Sequence, residues 1–176
     1  MDPIRIVIAD DHPLYREGVA RSLSDDPALS VVGEAHDAPS AVDMAERLQP
    51  DLVLLDLSMP GGGGIAALAR IMAFTQPPKV AMLTASEEDD DVMLALKGGA
   101  LGYILKGVGS RDLVGVVKDL AAGQSYVSPS LAARIKRVGD LGDGAGAHGV
   151  QDAGGQRRRH IGLPGGQILD HADQIA

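Results

Sequence analysis

The sequence contains no cysteine and no tryptophan, and only one phenylalanine and three tyrosines among 176 residues. Without thiols there is no disulfide scaffold, no cysteine-ligated zinc or iron–sulfur site and no thiol nucleophile. With 2% aromatic but 45% hydrophobic residues, the core must be built from Leu, Val, Ile, Ala and Met. Basic residues are also in deficit: 16 Lys and Arg face 24 Asp and Glu, giving a formal net charge of −8. That balance argues against a broad nucleic-acid surface and suits a protein that gathers carboxylates around a cation. No apolar run reaches the roughly 18 residues of a membrane span. The start, Met1-Asp2-Pro3-Ile4-Arg5, lacks the basic head and long apolar stretch of a secretion signal. The expectation is a cytoplasmic protein without a membrane partner.

What the chain does have is an aliphatic run with a carboxylate inside it. Leu52 to Leu55, Asp56 and Leu57 are followed by Ser58-Met59-Pro60 and four glycines, Gly61 to Gly64. A short continuous apolar run reads as a strand covered on both faces. Pro60 and the glycines stop it just past Asp56. An ionised side chain belongs there only at the strand's end and with a task. Asp56 is therefore expected at the C-terminal edge of a parallel sheet, where open α/β folds bind ligands.

The rest of the chain alternates in the same sense. Strands are predicted over Ile4–Ala9, Leu29–Ala35, Leu52–Leu57, Lys79–Thr84 and Leu101–Leu105. Helices are predicted from Pro13 to Ser24, Ser40 to Leu48, Ile65 to Ala73, the acidic 86–91 stretch to about Lys97, and a Ser110 cap to about Ala122. Gly123 ends the last of these. Five strand–helix alternations predict an α/β, doubly wound parallel sheet with right-handed crossovers, closing near residue 123. Residues 124–138 read as a linker with an extended piece at Tyr126–Pro129 and a short helix. Residues 139–176 hold 10 of the 23 glycines and no Phe or Tyr, and show no sustained period. Such a segment buries too little apolar surface to offset its chain entropy, so disorder is expected.

Polar residues end the predicted strands: Asp10-Asp11 the first, Asp56 the third, Thr84 the fourth and Lys106 the fifth. In a parallel sheet these ends share one edge. Taken singly, each has a bland reading. Asp10-Asp11 can cap a helix, Thr84 can be an ordinary strand residue and Lys106 a solvated lysine. Together they place three carboxylates, a hydroxyl and an ammonium on one cleft. Oxygen donors with room for water favour Mg²⁺. A carboxylate beside that ion is a plausible nucleophile toward phosphorus, with Lys and Thr holding the phosphoryl oxygens.

Asp10-Asp11, Leu55-Asp56-Leu57-Ser58-Met59-Pro60, Leu83-Thr84-Ala85 and Gly102-Tyr103-Ile104-Leu105-Lys106 resemble, in order and spacing, the receiver domain of two-component response regulators. The opening Arg5 to Gly18 stretch resembles the LuxR-type (NarL/FixJ) branch, and the likeness covers about residues 4–135. The resemblance implies a flavodoxin-like five-stranded sheet in the order 2-1-3-4-5. It implies that Asp56 accepts a phosphoryl group from a sensor histidine kinase and that Asp11, Asp56 and the Ser58 carbonyl bind Mg²⁺, with Asp10 assisting through water. Lys106 and Thr84 would hold the phosphoryl oxygens, and Tyr103 would move between exposed and buried positions as the readout. Ser58 and Ser86 lie where side chains influence loss of the phosphoryl group. Phosphorylation would favour a homodimer, and the chain would be a phosphoacceptor rather than an enzyme with turnover.

Two departures are local: Gly63 replaces a common Asp, and Gly107 follows Lys106. A larger one is the stretch from residue 139. The branch ordinarily continues into a helix-turn-helix domain that binds DNA, opening on a Leu-Thr-x-Arg-Glu block that this chain does not contain. Residues 139–176 carry five Asp against three Arg, so the expectation is poor DNA binding, with the output domain missing or frame-shifted. The alternatives are a Mg²⁺-dependent phosphohydrolase using Asp56, disfavoured by Ser58 where a second carboxylate is needed, and a flavodoxin-like cofactor binder, disfavoured by Asp10-Asp11 where a phosphate loop is needed.

Overall fold

The computed structural model describes residues 2–133. Six strands alternate with five helices: β1 Ile4–Ala9, α1 Pro13–Ser24, β2 Leu29–Ala35, α2 Ala38–Leu48, β3 Leu52–Leu55, α3 Gly63–Met72, β4 Lys79–Thr84, α4 Asp89–Lys97, β5 Gly102–Leu105, α5 Ser110–Ala121 and β6 Tyr126–Val127. All strand pairs are parallel, in the order β2-β1-β3-β4-β5-β6. The doubly wound sheet is thus the expected one with a sixth strand added. β6 pairs Tyr126 with Gly102 and Val127 with Tyr103. Two residues are too few to show a period of 2 in the sequence, and the pairing is created by β5 lying alongside.

Strand parity divides the core into two layers. Val7, Ala9, Val53, Leu55, Val80, Met82 and Tyr103 face one cluster, packed with α2, α3 and α4 side chains such as Ala41, Leu68, Ile71 and Val92. Ile6, Ile8, Leu52, Leu54, Ala81, Leu83 and Ile104 face the other, with Val19 and Leu23 from α1 and Val117 and Leu120 from α5. Every residue of β3 is at 0% exposure, which is why its sequence is a solid aliphatic run rather than an alternation. Leu131 is also fully buried, against the first cluster. The packed body therefore continues past residue 123 through β6 and into the helical turn at 129–133.

Local chemistry sets the element boundaries. Pro13 opens α1. Asp37 caps α2, its side chain accepting from Ser40 N at 2.7 Å, and hydrogen bonding by Ser40, its side chain first and then its backbone N–H, holds the Asp37 carboxyl below its usual range. Three acids, Asp89 to Asp91, occupy the first turn of α4, where the helix dipole favours them. Ser110 is the first residue of α5 rather than its cap: Gly109 takes the cap position with extended backbone and no side-chain bond. β3 stops at Leu55, short of the expected Leu57, because beyond Asp56 N, which bonds Ala9 O at 2.8 Å, the chain turns to let Leu57 O accept from Gly64 N at 2.7 Å. No helix among the described residues is long and apolar enough to cross a membrane. The disorder expected of 139–176 concerns residues outside those described.

Candidate metal centre

Asp10, Asp56 and Lys106 each stand one residue beyond a strand and are held by one further rung of the ladder. Asp10 N bonds Ala35 O at 3.0 Å, Asp56 N bonds Ala9 O at 2.8 Å and Lys106 N bonds Thr84 O at 2.9 Å. The three side chains consequently start from fixed backbone at the C-terminal ends of β1, β3 and β5. Lys106 Nζ lies 2.8 Å from Asp10 Oδ2 and 2.9 Å from Asp56 Oδ2, with both aspartates only 2% exposed. Burial by itself would lower the Lys106 pKa, but its short contacts to both aspartates and their negative charge outweigh that and raise it. Lys106 is an ammonium at neutral pH.

Asp11 and His12 complete the cluster. Asp10 Oδ1 accepts from the His12 backbone N at 2.8 Å and lies 3.1 Å from His12 Nδ1. The same Nδ1 is 3.0 Å from Asp11 Oδ1 and 3.9 Å from Asp56 Oδ2. Donor atoms of Asp10, Asp11, His12 and Asp56 all fall within 4.8 Å of one another. Asp10 Oδ2 and Asp11 Oδ1 are buried, the first against the Lys106 ammonium and the second beside His12 Nδ1. Three carboxylates against one ammonium leave two formal negative charges, the deficit that a divalent cation fills. This acidic cluster has the donor set to hold a metal.

Two residues from α1 brace the site, and neither shows its role in the sequence. The Tyr15 ring lies under the Lys106 ammonium, 4.9 Å from Nζ to the ring centre, and its hydroxyl donates to the Lys106 carbonyl at 3.4 Å. Burial first, then the negative charges of Asp10 and Asp56, push the Tyr15 hydroxyl up to about 12. Arg16 Nη1 donates to the Asp10 carbonyl at 2.6 Å while Nε pairs with Glu34 at 3.2 Å. Tyr15 and Lys106 are 91 positions apart, so no local pattern links them. His12 adjoins two carboxylates in sequence, and that adjacency was the available signal.

Thr84 and Tyr103 form a separate group. Thr84 is buried, and its Oγ1 accepts from Ser86 N at 3.1 Å. The Tyr103 ring is fully buried, and its hydroxyl donates to Ser86 O at 3.2 Å. Burial raises the Tyr103 pKa, partly countered by the Ser86 bond. Ser86 Oγ in turn donates to Asp91 Oδ2 at 2.6 Å. No hydrogen bond among the described residues joins Thr84 or Tyr103 to the carboxylates, so the β4–α4 loop at Ser86 links these two to each other. Ser58 is exposed, two residues past Asp56, and its carbonyl accepts no hydrogen bond among the described residues.

Residues 6–118 match the family model described as the response regulator receiver domain. The chain belongs to that family. It is 37% identical over 132 residues to the response regulator GacA of Pseudomonas aeruginosa, covering 75% of this chain and 62% of that protein. It is 38% identical over 139 residues to the nitrate/nitrite response regulator NarL of Escherichia coli K12, covering 77% of this chain and 64% of that one. A solved two-component response regulator of the LuxR family from Aurantimonas superposes with a TM-score of 0.72 at 33% identity, over 78% of this chain and 99% of the other. The chain spans less than two thirds of the length of either curated relative. The receiver fold read from the strand-end motifs and the LuxR-type affinity read from the Arg5 to Gly18 stretch are those of its relatives.

Proposed function

We propose that this receiver accepts a phosphoryl group on Asp56 from a phosphohistidine of a sensor kinase, in a Mg²⁺-dependent reaction, and switches conformation in response. The observation that carries the proposal is the bridging of Asp10 and Asp56 by the Lys106 ammonium, with both carboxylates almost fully buried. In this reading an Asp56 carboxylate oxygen forms the new P–O bond as the P–N bond of the donor breaks, and the departing imidazole takes a proton. Asp11, Asp56 and the Ser58 carbonyl hold the metal, with Asp10 assisting through water. A bound Mg²⁺ supplies charge neutralisation for the phosphoryl oxygens. Lys106 already points at the Asp56 carboxylate, so it pairs with an incoming phosphoryl oxygen without a large movement.

Thr84 and Tyr103 provide the response. To reach the phosphoryl group, the Thr84 hydroxyl gives up its Ser86 contact. That frees the loop whose carbonyl anchors Tyr103, so the two side chains shift together. The described Tyr103 is in the buried position. The receiver carries the phosphoacceptor role and β6 begins the connection toward an output. Residues 139–176 carry no recognisable helix-turn-helix block, and we propose that this segment contributes little DNA binding. A phosphohydrolase with turnover is disfavoured by Ser58.

The test is intact mass after incubation with acetyl phosphate and Mg²⁺. Wild type gains one phosphoryl group, and Asp56→Asn gains none. Equal labelling of the two would overturn the assignment. A gel shift on promoter DNA, with and without acetyl phosphate, checks the output: strong phosphorylation-dependent retardation would contradict weak DNA binding.

A further inference from the structure

Lys106 carries its charge on a long, flexible stem, and that charge must stay in place while the carboxylate beside it changes. We infer that Tyr15 is a positioning residue for phosphoryl transfer: the face of its ring holds the Lys106 ammonium at Asp56 while that carboxylate gives up its charge. The inference rests on the reading of Asp56 as the phosphoacceptor and adds to it a residue of α1 that acts through Lys106. Lys106 Nζ contacts Asp10 Oδ2 at 2.8 Å and Asp56 Oδ2 at 2.9 Å, and it lies over the Tyr15 ring, 4.9 Å from the ring centre. As the new P–O bond forms on an Asp56 oxygen and the donor's bond to phosphorus breaks, the carboxylate becomes an acyl phosphate and loses its own negative charge. The contact between Lys106 and Asp56 is therefore altered by the reaction itself. The attraction of the ring face for a cation comes from its quadrupole and does not depend on the state of Asp56.

Local structure puts the ring there. Pro13 opens α1 directly after Asp11 and His12, so Tyr15 falls in the first helical turn. Side chains on a helix lean toward its N-terminus, which here is the strand end that carries Asp10. The ring is half-buried and packs against the core cluster that also takes in Val108, two residues past Lys106. Its hydroxyl donates to the Lys106 carbonyl at 3.4 Å, so one side chain touches both the backbone and the ammonium of Lys106. Burial first, and then the charges of Asp10 and Asp56, keep the phenol protonated at neutral pH, and the ring therefore adds no further negative charge to the cluster. An alkyl side chain at position 15 would keep the apolar packing and lose the electron-rich face. Packing and positioning are thus separable at this residue.

The experiment follows phosphorylation of the full chain by acetyl phosphate and Mg²⁺, read by intact mass at early times, in wild type, Tyr15→Phe and Tyr15→Leu. It is paired with NMR of protein carrying ¹³C at lysine Cε, in which Lys106→Met assigns the Lys106 signal. Tyr15→Leu is expected to be phosphorylated about tenfold more slowly than wild type. Tyr15→Phe should stay within about twofold, because the hydroxyl contact is long and the ring face is kept. The Lys106 ε-protons should be shifted upfield by the ring current in wild type and Tyr15→Phe, and the shift should persist after phosphorylation. Tyr15→Leu reacting as fast as wild type would reduce Tyr15 to core packing and overturn the inference. Tyr15→Phe reacting as slowly as Tyr15→Leu would overturn it too, as would a Lys106 signal that returns to the ordinary lysine position on phosphorylation. Should Tyr15→Leu melt well below wild type, the Lys106 shift in phosphorylated wild type decides the matter alone. A wild type that gains no phosphoryl group, like Asp56→Asn, would instead overturn the phosphoacceptor reading and the inference with it.

Discussion

Replacing Gly64 by alanine tests how the β3–α3 turn positions Asp56. A Cβ at Gly64 would sit 2.1 Å from the Asp56 carbonyl oxygen, 2.8 Å from Leu57 Cα and 2.9 Å from the Asp56 carbonyl carbon, all of them backbone atoms. Ordinary contact begins near 3.4 Å, so the first turn of α3 and the Asp56–Leu57 peptide must separate by about 1.3 Å. No side chain can swing aside to absorb that. Overpacking of this kind costs typically about 1–3 kcal/mol, and the backbone clash puts Gly64 at the upper end. The gain in helix propensity returns up to about 1 kcal/mol, leaving a net loss of about 2 kcal/mol. Gly18, in the middle of α1, is the control: a Cβ there meets nothing within 4 Å, so Gly18→Ala should stabilise by about 0.5–1 kcal/mol. The same chemical change thus has opposite signs at two helical glycines. Urea unfolding measures both. Because Asp56 moves with its carbonyl, acetyl phosphate labelling of Gly64→Ala should also slow by about 100-fold, the penalty for a misplacement near 1 Å. Gly64→Ala as stable as wild type, or both variants shifting in the same direction, would refute the close approach.

Other expectations follow from the same contacts. Lys106→Met leaves Asp10 and Asp56 buried without their ammonium and should destabilise by about 3 kcal/mol; millimolar Mg²⁺ should recover more stability in this variant than in wild type, as thermal melts with and without the ion will show. Alkaline pH acts on Tyr15: its folded pKa of about 12 exceeds the unfolded value of 10.0, so the folded state holds the proton more tightly and stability declines as pH rises from about 10 to about 12. Lys106 and Tyr103, also raised, push in the same direction; Tyr15→Phe should flatten that decline without abolishing it, and an unchanged profile would contradict the burial of Tyr15 beside two aspartates. Leu131→Ala should cost about 2–3 kcal/mol, because a fully buried leucine is truncated; a loss within error of zero would mean that the segment after β6 does not pack on the receiver.

Much of this receiver is written locally. Leu52 to Leu55, followed at once by Asp56, Pro60 and glycines, fixes a doubly covered strand ending in a carboxylate, because only that environment accommodates a solid aliphatic run beside a charge. β1, β2 and β4 fall on the residues expected from their β-branched composition and turn chemistry, and the strand-end motifs identify the acidic residues, Thr84 and Lys106. Tertiary structure alone decided the remainder. β6 is a strand only because β5 offers it an edge, and Leu131 is core only because it joins the buried cluster on that side of the sheet. Tyr15 becomes a partner of Lys106 across 91 residues, and the exposed His12 reaches the middle of three carboxylates because β1 and β3 end side by side. Periodicity and turn chemistry report the neighbours a residue has along the chain. Which ammonium balances which carboxylate depends on the alignment of strand ends, and that exists only once the sheet has formed.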